Sequence, residues 1–252
     1  MKSENAQSFS MMKLFAVIGG LALLTLVLIP AVSRAKLKAD QVMVGAHGRD
    51  IYVALVGAAC ENLGPMSIWP RVTIAEEYMH QDAQTYYVME KMFQNSTEYF
   101  YDLYDGANAG TPEHSPYIAG FDYSKLAGAG VPRVVGTGVL KPENNMWCIA
   151  GNLREDMDDR IPVLVTRNVD CSSFHIKTHG NPDAPLQWSQ QYKTPFGRKC
   201  FVMVRKGGAV SHGAAKNATV GTVYPVGSVP VAGGTNLASL VYLTPDGIAC
   251  PE

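Results

Sequence analysis

From Leu14 to Val32 the chain reads LFAVIGGLALLTLVLIPAV, 19 residues without a charge. At 1.5 Å per residue, a helix of that length just spans a hydrocarbon core of about 30 Å. The run is either removed as a leader or kept in a membrane. A signal peptide has a shorter apolar core followed by a small-x-small cleavage site, and Ala31-Val32-Ser33 offers such a site. Against cleavage, the run is long and the residues after it continue as helix. The segment SRAKLKADQVMVGAHGRDIYVALVGAAC contains no proline. Within it Leu37, Val44, Ile51 and Leu55 follow one another at spacings of seven, seven and four, one stripe of a helix. Arg34, Lys36, Lys38, Asp40, Arg49 and Asp50 lie mainly off that stripe.

Two arrangements satisfy this pattern. One is a membrane anchor followed by a separate amphipathic core helix. The other is a single helix of about 45–50 residues, roughly 70 Å long by the α-helical rise. Its first half would lie in lipid and its second half would pack against a globular head. Pro30 falls inside the helix, where neighbours or a kink can absorb the lost hydrogen bond.

The stretch FSMMKLFAVIGGLALLTLVLIPAVSRAKLKAD resembles the N-terminal helix of type IV pilins and type II secretion pseudopilins. In that family a Phe opens the mature chain and a proline stands twenty-one residues further on; Phe9 and Pro30 have this spacing. The resemblance implies a pilin-like α+β fold, with a long helix packed on a C-terminal antiparallel sheet and additional helices in the connection. It also implies processing between Ser8 and Phe9 and a helix kink at Pro30. Two positions depart from the family pattern. Ser8 stands where the prepilin peptidase cuts after Gly, and Lys13 stands where the family carries a Glu that helps recruit the subunit into a filament. Both departures bear on processing and assembly more than on fold.

The organisation expected is a cytoplasmic segment over 1–13, a membrane helix over 14–32, its amphipathic continuation over 33–60 and an extracytoplasmic head over 61–252. By the positive-inside rule alone, Arg34, Lys36 and Lys38 outweigh Lys2 and Lys13 and would place the C-terminal part inside. The family topology is the opposite. The five cysteines and the loop-rich head suit it, and the expected location is the bacterial inner membrane with a periplasmic head.

In the head, the stretch opening VTIAEEYMHQ carries Glu76, Glu77, Asp82, Tyr78, Met79, Tyr86, Met89, Met92 and Phe93 in a pattern that predicts a helix. NSTEYFYDLYD predicts a short one with Ser96 or Thr97 as N-cap, ended by Gly106. Their aromatic residues, at helical spacing, read as core before they read as a ligand platform. Residues 106–160 read as a long connection with one or two strands. Ile161–Asp170 reads as a buried strand, and Lys199–Gly213 as a hairpin turning at Lys206-Gly207-Gly208. LASLVYLT reads as a last strand closed by the Pro245-Asp246-Gly247 turn. Three or four strands with no helices between them mean an antiparallel sheet. NSTEYFYDLYD, PVLVTRNVD and FGRKCFVMVRKGGAV also resemble a subgroup of large-headed pseudopilin-like proteins that certain bacteria encode in many copies.

Chemistry is sparse. Cys171, His175 and His179 form the best zinc candidate, although loop-forming neighbours favour a disulfide or thiol beside solvated histidines. Glu155, Asp156, Asp158 and Asp159 could offer oxygen ligands to calcium but lack the EF-hand spacing, which favours a solvated acidic turn. There is no GxSxG, and Gly207-Gly208 lacks the GK[ST] of a phosphate loop. Asn95-Ser96-Thr97 and Asn217-Ala218-Thr219 match the glycosylation sequon. Cys60, Cys148, Cys171, Cys200 and Cys250 contain no CxxC, and one or two long-range disulfides fit an oxidising compartment without their pairing being fixed. A net charge of −1 argues against nucleic acid as partner. No catalytic residue, cofactor or metal site is expected. The function expected is that of a structural or accessory pseudopilin-like subunit whose partners are other pseudopilins, secretion or pilus components and inner-membrane lipid. The alternative is a membrane-anchored binding module or hydrolase that shares only the helix.

Overall fold

The structure, a computed structural model, describes residues 11–61, 69–70, 72, 93–104, 121–134, 139–153, 157–174, 183–223 and 241–249. Its first element is α1, Met11–Glu61, 51 residues of uninterrupted helix with Pro30 inside it. The single-helix arrangement is therefore the one adopted. Compactness divides the chain into two units, Met1–Asp40 and Gln41–Glu252.

In the first unit the helical side chains are exposed nearly throughout. The hydroxyls in this stretch bond back to the helix itself. Thr25 Oγ1 donates to the carbonyls of Leu21 and Ala22 at 3.1 and 2.8 Å, and Ser33 Oγ to that of Ile29 at 2.9 Å. Such back-bonding leaves no side-chain donor seeking an outside partner at these positions.

In the second unit, the sheet contains β1 (Trp147–Gly151), β2 (Pro162–Thr166), β3 (Cys200–Arg205), β4 (Val210–Ala214), β5 (Val241–Leu243) and β6 (Ile248–Ala249). They pair antiparallel in the order β4-β3-β2-β1-β5-β6. The α+β class and the antiparallel sheet follow the sequence reading, as do the β3–β4 hairpin and the buried β2. The strand count expected was too low: among the described residues six strands form where three or four were expected. The two-residue β6 gives no pattern of its own, while β1 lies in the connection over 106–160, where one or two strands were expected.

Strands β1, β2 and β3 are buried at every residue. Continuous burial in an antiparallel sheet means that both faces are covered, unlike the usual arrangement with one face to solvent. The C-terminal part of α1 covers one face. Its buried positions are Gln41, Val44, Gly45, Gly48, Ile51 and Leu55, so the predicted stripe holds at Val44, Ile51 and Leu55, while Leu37 is half-buried. Glycine sets how closely helix and sheet approach. A Cβ on Gly48 would stand 2.7 Å from Trp147 Cη2 and 2.8 Å from Val204 Cγ2, and one on Gly45 would meet Val210 and His212 at 3.1 Å. Further along, the Tyr52 hydroxyl donates to the Lys206 carbonyl. The Tyr52 ring lies over Gly208, whose φ of +78° lets the hairpin turn.

Irregular chain covers the opposite face, on which alternation places Cys148, Val165, Phe201 and Met203. Trp188 meets Phe201 edge-on at 6.3 Å. Bridges Val169–Trp188 and Pro185–Thr219 hold this cover together, and Arg205, nearly buried, donates to the carbonyls of Val223 and Thr222 at 2.9 and 3.3 Å.

The short helix α2 is Ser96–Tyr104. Its N-cap is Asn95, not Ser96 or Thr97: Asn95 Oδ1 accepts from the Glu98 amide at 2.7 Å, and the Glu98 carboxylate accepts from the Gln94 amide at 3.2 Å. Ser96 and Thr97 are instead buried and tie the helix to the sheet. Ser96 Oγ donates to the Trp147 carbonyl at 2.7 Å and Thr97 Oγ1 to that of Pro245 at 2.6 Å. Asn145 Nδ2 donates to both hydroxyls, and Asn145 Oδ1 accepts from the Trp147 amide at 2.9 Å. The helix predicted around Glu76 to Phe93 lies outside the described residues except for Phe93, which is buried.

Candidate functional site

The largest apolar surface among the described residues is the N-terminal part of α1. Its most apolar 18-residue window has a mean hydropathy of 2.5 and is 0% buried. Leu21, Leu24, Leu26, Val27 and Ile29 are each more than half exposed. In water, so large a continuous apolar surface is unfavourable by roughly 25 cal/mol per Å². In a bilayer it costs nothing, and the helix meets all its own backbone hydrogen bonds except at Pro30, which has no N–H for the Leu26 carbonyl. The helix is long and apolar enough to cross a membrane. Lys13 lies in this exposed stretch, whereas Ser8 and Phe9 lie outside the described residues.

In the head, the described residues among those singled out for chemistry have partners within the chain. Asp158 accepts from the Arg160 guanidinium at 2.6 and 3.0 Å, and these bonds, with one from the Arg160 amide, hold its pKa down to about 2. Asp159 pairs with Lys206 at 3.1 Å. Both carboxylates of the acidic turn therefore face cations of the chain, while Glu155 and Asp156 lie outside the described residues. Cys171 is buried as a free thiol 3.9 Å from the Val169 carbonyl, and burial, then the neighbouring Cys148, pushes its pKa up. His175 and His179 lie outside the described residues. Among the described residues, no group of three or more His, Cys, Asp or Glu side chains could hold a metal ion. Gly207-Gly208 forms the hairpin turn, with the Gly207 amide donating to the Asp159 carbonyl.

Tyr99 and Phe100 of α2 are core. Tyr99, Phe100 and Leu103 are fully buried, Phe93 meets Tyr99 edge-on at 5.3 Å, and Phe121 stacks on Phe100 at 5.8 Å. Beside α2, an open groove of about 270 Å³ is lined by Asn95, Thr97, Glu98, Tyr101, Val139 and others. It brings together no set of groups suited to acid–base or nucleophilic work.

Sequence reasoning passed over Arg167. This guanidinium is 5% exposed. It donates to the carbonyls of Pro142, Asn145 and Thr194 and to Thr194 Oγ1, at 2.7 to 3.2 Å, and lies 4.5 Å over the Tyr192 ring. Burial lowers its pKa. Burial and then the Asp246 carboxylate push the Tyr192 hydroxyl up. The side chain is a clamp, joining two separate loops, one through Pro142 and Asn145 and one through Tyr192 and Thr194, to the end of β2. An arginine directly after a buried strand, in PVLVTRNVD, was the signal available.

His47 lies on α1 with Nδ1 at 3.1 Å from the Ala127 carbonyl. A carbonyl only accepts, so Nδ1 carries the proton of the neutral ring. Burial lowers its pKa, and Lys125 and Arg133 add to that, while the Ala127 carbonyl and Asp50 oppose it.

Comparison with family models, curated proteins and solved structures yields no match for this chain.

Proposed function

We propose that this chain is a membrane-anchored, pilin-like structural subunit. One observation carries the reading: a single 51-residue helix has a fully exposed, membrane-grade first part, and its last part lies on an antiparallel sheet through a glycine seam. A helix that serves two solvents in succession is what a subunit needs if it is stored in a membrane and presents a folded head beyond it. On this reading the membrane is the bacterial inner membrane, the helix crosses it once, and the head is periplasmic. The partners are pseudopilins or other secretion or pilus components, reached by helix packing and by the head surface. The resemblance around Phe9 and Pro30 supports the same reading.

Lys13 sets the expected limit of assembly. In the family, the Glu at this place meets the N-terminal amine of a neighbour within an apolar core. A lysine there would bring two positive charges together, and an unpaired buried charge costs several kcal/mol. The unmodified chain is expected to form no homopolymer and to enter a mixed filament only at an end or not at all. Lys13→Glu with Ser8→Gly should restore processing before Phe9 and increase cross-linking to major pseudopilins. Electron microscopy and cross-linking of both versions test this. Abundant filaments of the unmodified chain would refute the role given to Lys13, and absence of any pseudopilin cross-link in either version would refute the subunit reading.

A further inference from the structure

Helix α1 leaves its apolar run through Ser33 and enters Arg34, Lys36 and Lys38, all three exposed. At 1.5 Å per residue they stand about 3, 6 and 9 Å beyond Val32 along the helix axis. A headgroup layer adds about 5–7 Å to each side of the hydrocarbon core, and long basic side chains bend toward it, so all three charges reach its depth. Among the described residues, none of the three makes a hydrogen bond or an ion pair. Asp40, four residues after Lys36, is half-buried and stands in the less favourable order for a pair at this spacing. The apolar run offers lipid no side-chain donor, since Thr25 and Ser33 bond back to the carbonyls of Leu21, Ala22 and Ile29.

The placement of these charges around the axis selects the kind of partner. At 3.6 residues per turn, Lys38 lies about 40° from Arg34, and Lys36 about 160° from both. A protein docked on one side of the helix would leave at least one cation facing away from it. A ring of lipid headgroups meets all three. We propose that Arg34, Lys36 and Lys38 form a collar that gathers phospholipids of net negative headgroup charge around α1, on the head side of the bilayer. The collar rests on the membrane-anchored part of the reading above and not on its pilin-like part. It depends on headgroup charge alone, so it holds in whichever leaflet the head faces.

Two features make the preference specific. A zwitterionic headgroup carries its own ammonium, which competes for the phosphate, whereas an anionic headgroup leaves its phosphate to the protein. The attraction is between charges exposed to water, so it reaches about 30 Å at 0.01 M salt and only about 3 Å at 1 M. The other end of the run carries Lys13 alone among the described residues, so the collar end should select lipid more strongly.

The test uses the full chain, reconstituted from detergent into phosphatidylcholine vesicles with a trace of spin-labelled phosphatidylglycerol or spin-labelled phosphatidylcholine. Flotation in a density gradient reports anchoring, and electron paramagnetic resonance gives the share of each label held immobile at the protein. The chain should float, and phosphatidylglycerol should be favoured about two- to fourfold at about 0.01 M salt, falling toward equality at about 1 M. Arg34→Gln/Lys36→Gln/Lys38→Gln should float equally well and bring the ratio near one. Arg34→Lys should keep the ratio, and Lys13→Gln should keep most of it. A ratio of one in the unmodified, floating chain overturns the collar and leaves its cations to an acidic protein surface. A preference that survives the triple substitution or the high salt also overturns it, because the selectivity then lies elsewhere. A chain that does not float overturns the anchor and the collar together.

Discussion

The two parts of α1 are made of the same backbone and obey opposite rules. Around Gly19 and Gly20 nothing comes within 4 Å of where a side chain would begin, and the neighbouring leucines and valines are exposed. Around Gly45 and Gly48 the space is already taken by Val210, His212, Trp147 and Val204. The first pair of glycines is a choice of composition with room to spare. The second is a packing requirement, because a Gly in mid-helix is otherwise about 1 kcal/mol worse than Ala. Glycine in a helix therefore has no single meaning: its neighbours in space decide it.

The largest expected effect separates the two regions by solvent. Leu21→Asp with Leu24→Asp puts two charges near the middle of the apolar run and should disfavour insertion by about 5–7 kcal/mol. Extraction with alkaline carbonate should move this variant from the pellet to the supernatant while the head keeps its Tm. A variant that stays in the pellet would remove the claim that this run crosses the bilayer.

A smaller effect separates them by packing. Gly48→Leu should destabilise the head by about 3 kcal/mol, lowering Tm by roughly 6–12 °C. Gly20→Leu should leave it unchanged. Thermal unfolding followed by near-ultraviolet circular dichroism reads both, and equal shifts would show that helix propensity and not the seam governs.

The smallest effect is a pH dependence confined to the head. The folded His47 binds its proton less readily than an unfolded histidine with a pKa of 6.5. Its contribution to stability is therefore complete above pH 6.5 and is lost as the pH falls through the lower folded value. The ring is only part-buried and solvent screens it, so the change in Tm between about pH 8 and about pH 5 should be below roughly 2 °C. His47→Gln should flatten that part of the profile, and an unchanged slope would assign it to other groups.

Much of the fold could be read from the sequence where one-dimensional pattern and three-dimensional packing coincide. Val44, Ile51 and Leu55 announce the buried helix face, Lys206-Gly207-Gly208 announces the hairpin, and the β-branched run from Ile161 announces β2. What escaped had no periodic signature. Gly45 and Gly48 matter by what they lack. Asn95 caps α2 because Ser96 and Thr97, equally good caps by type, are drawn away to carbonyls at Trp147 and Pro245. The second cover of the sheet is irregular chain. For the candidate site the division is sharper. The apolar run was legible because length and hydropathy suffice for it, whereas Arg167 looked like any polar residue after a strand until two loops were found to end on it.

The sheet order has a consequence in time. Strand β1 lies between β2, which follows it closely, and β5, which is made roughly 90 residues later. At 5–20 residues per second, a ribosome would leave one edge of β1 unpaired for about 5 to 20 s. The docking of α2 waits on the same event, since Ser96 and Thr97 bond to the carbonyls of Thr244 and Pro245. A chain released before β5 emerges would carry an apolar strand with an open edge, a shape prone to unwanted pairing. The fold thus couples distant stretches in time: β1 and α2 are closed in only once β5 and the turn after it have been synthesised.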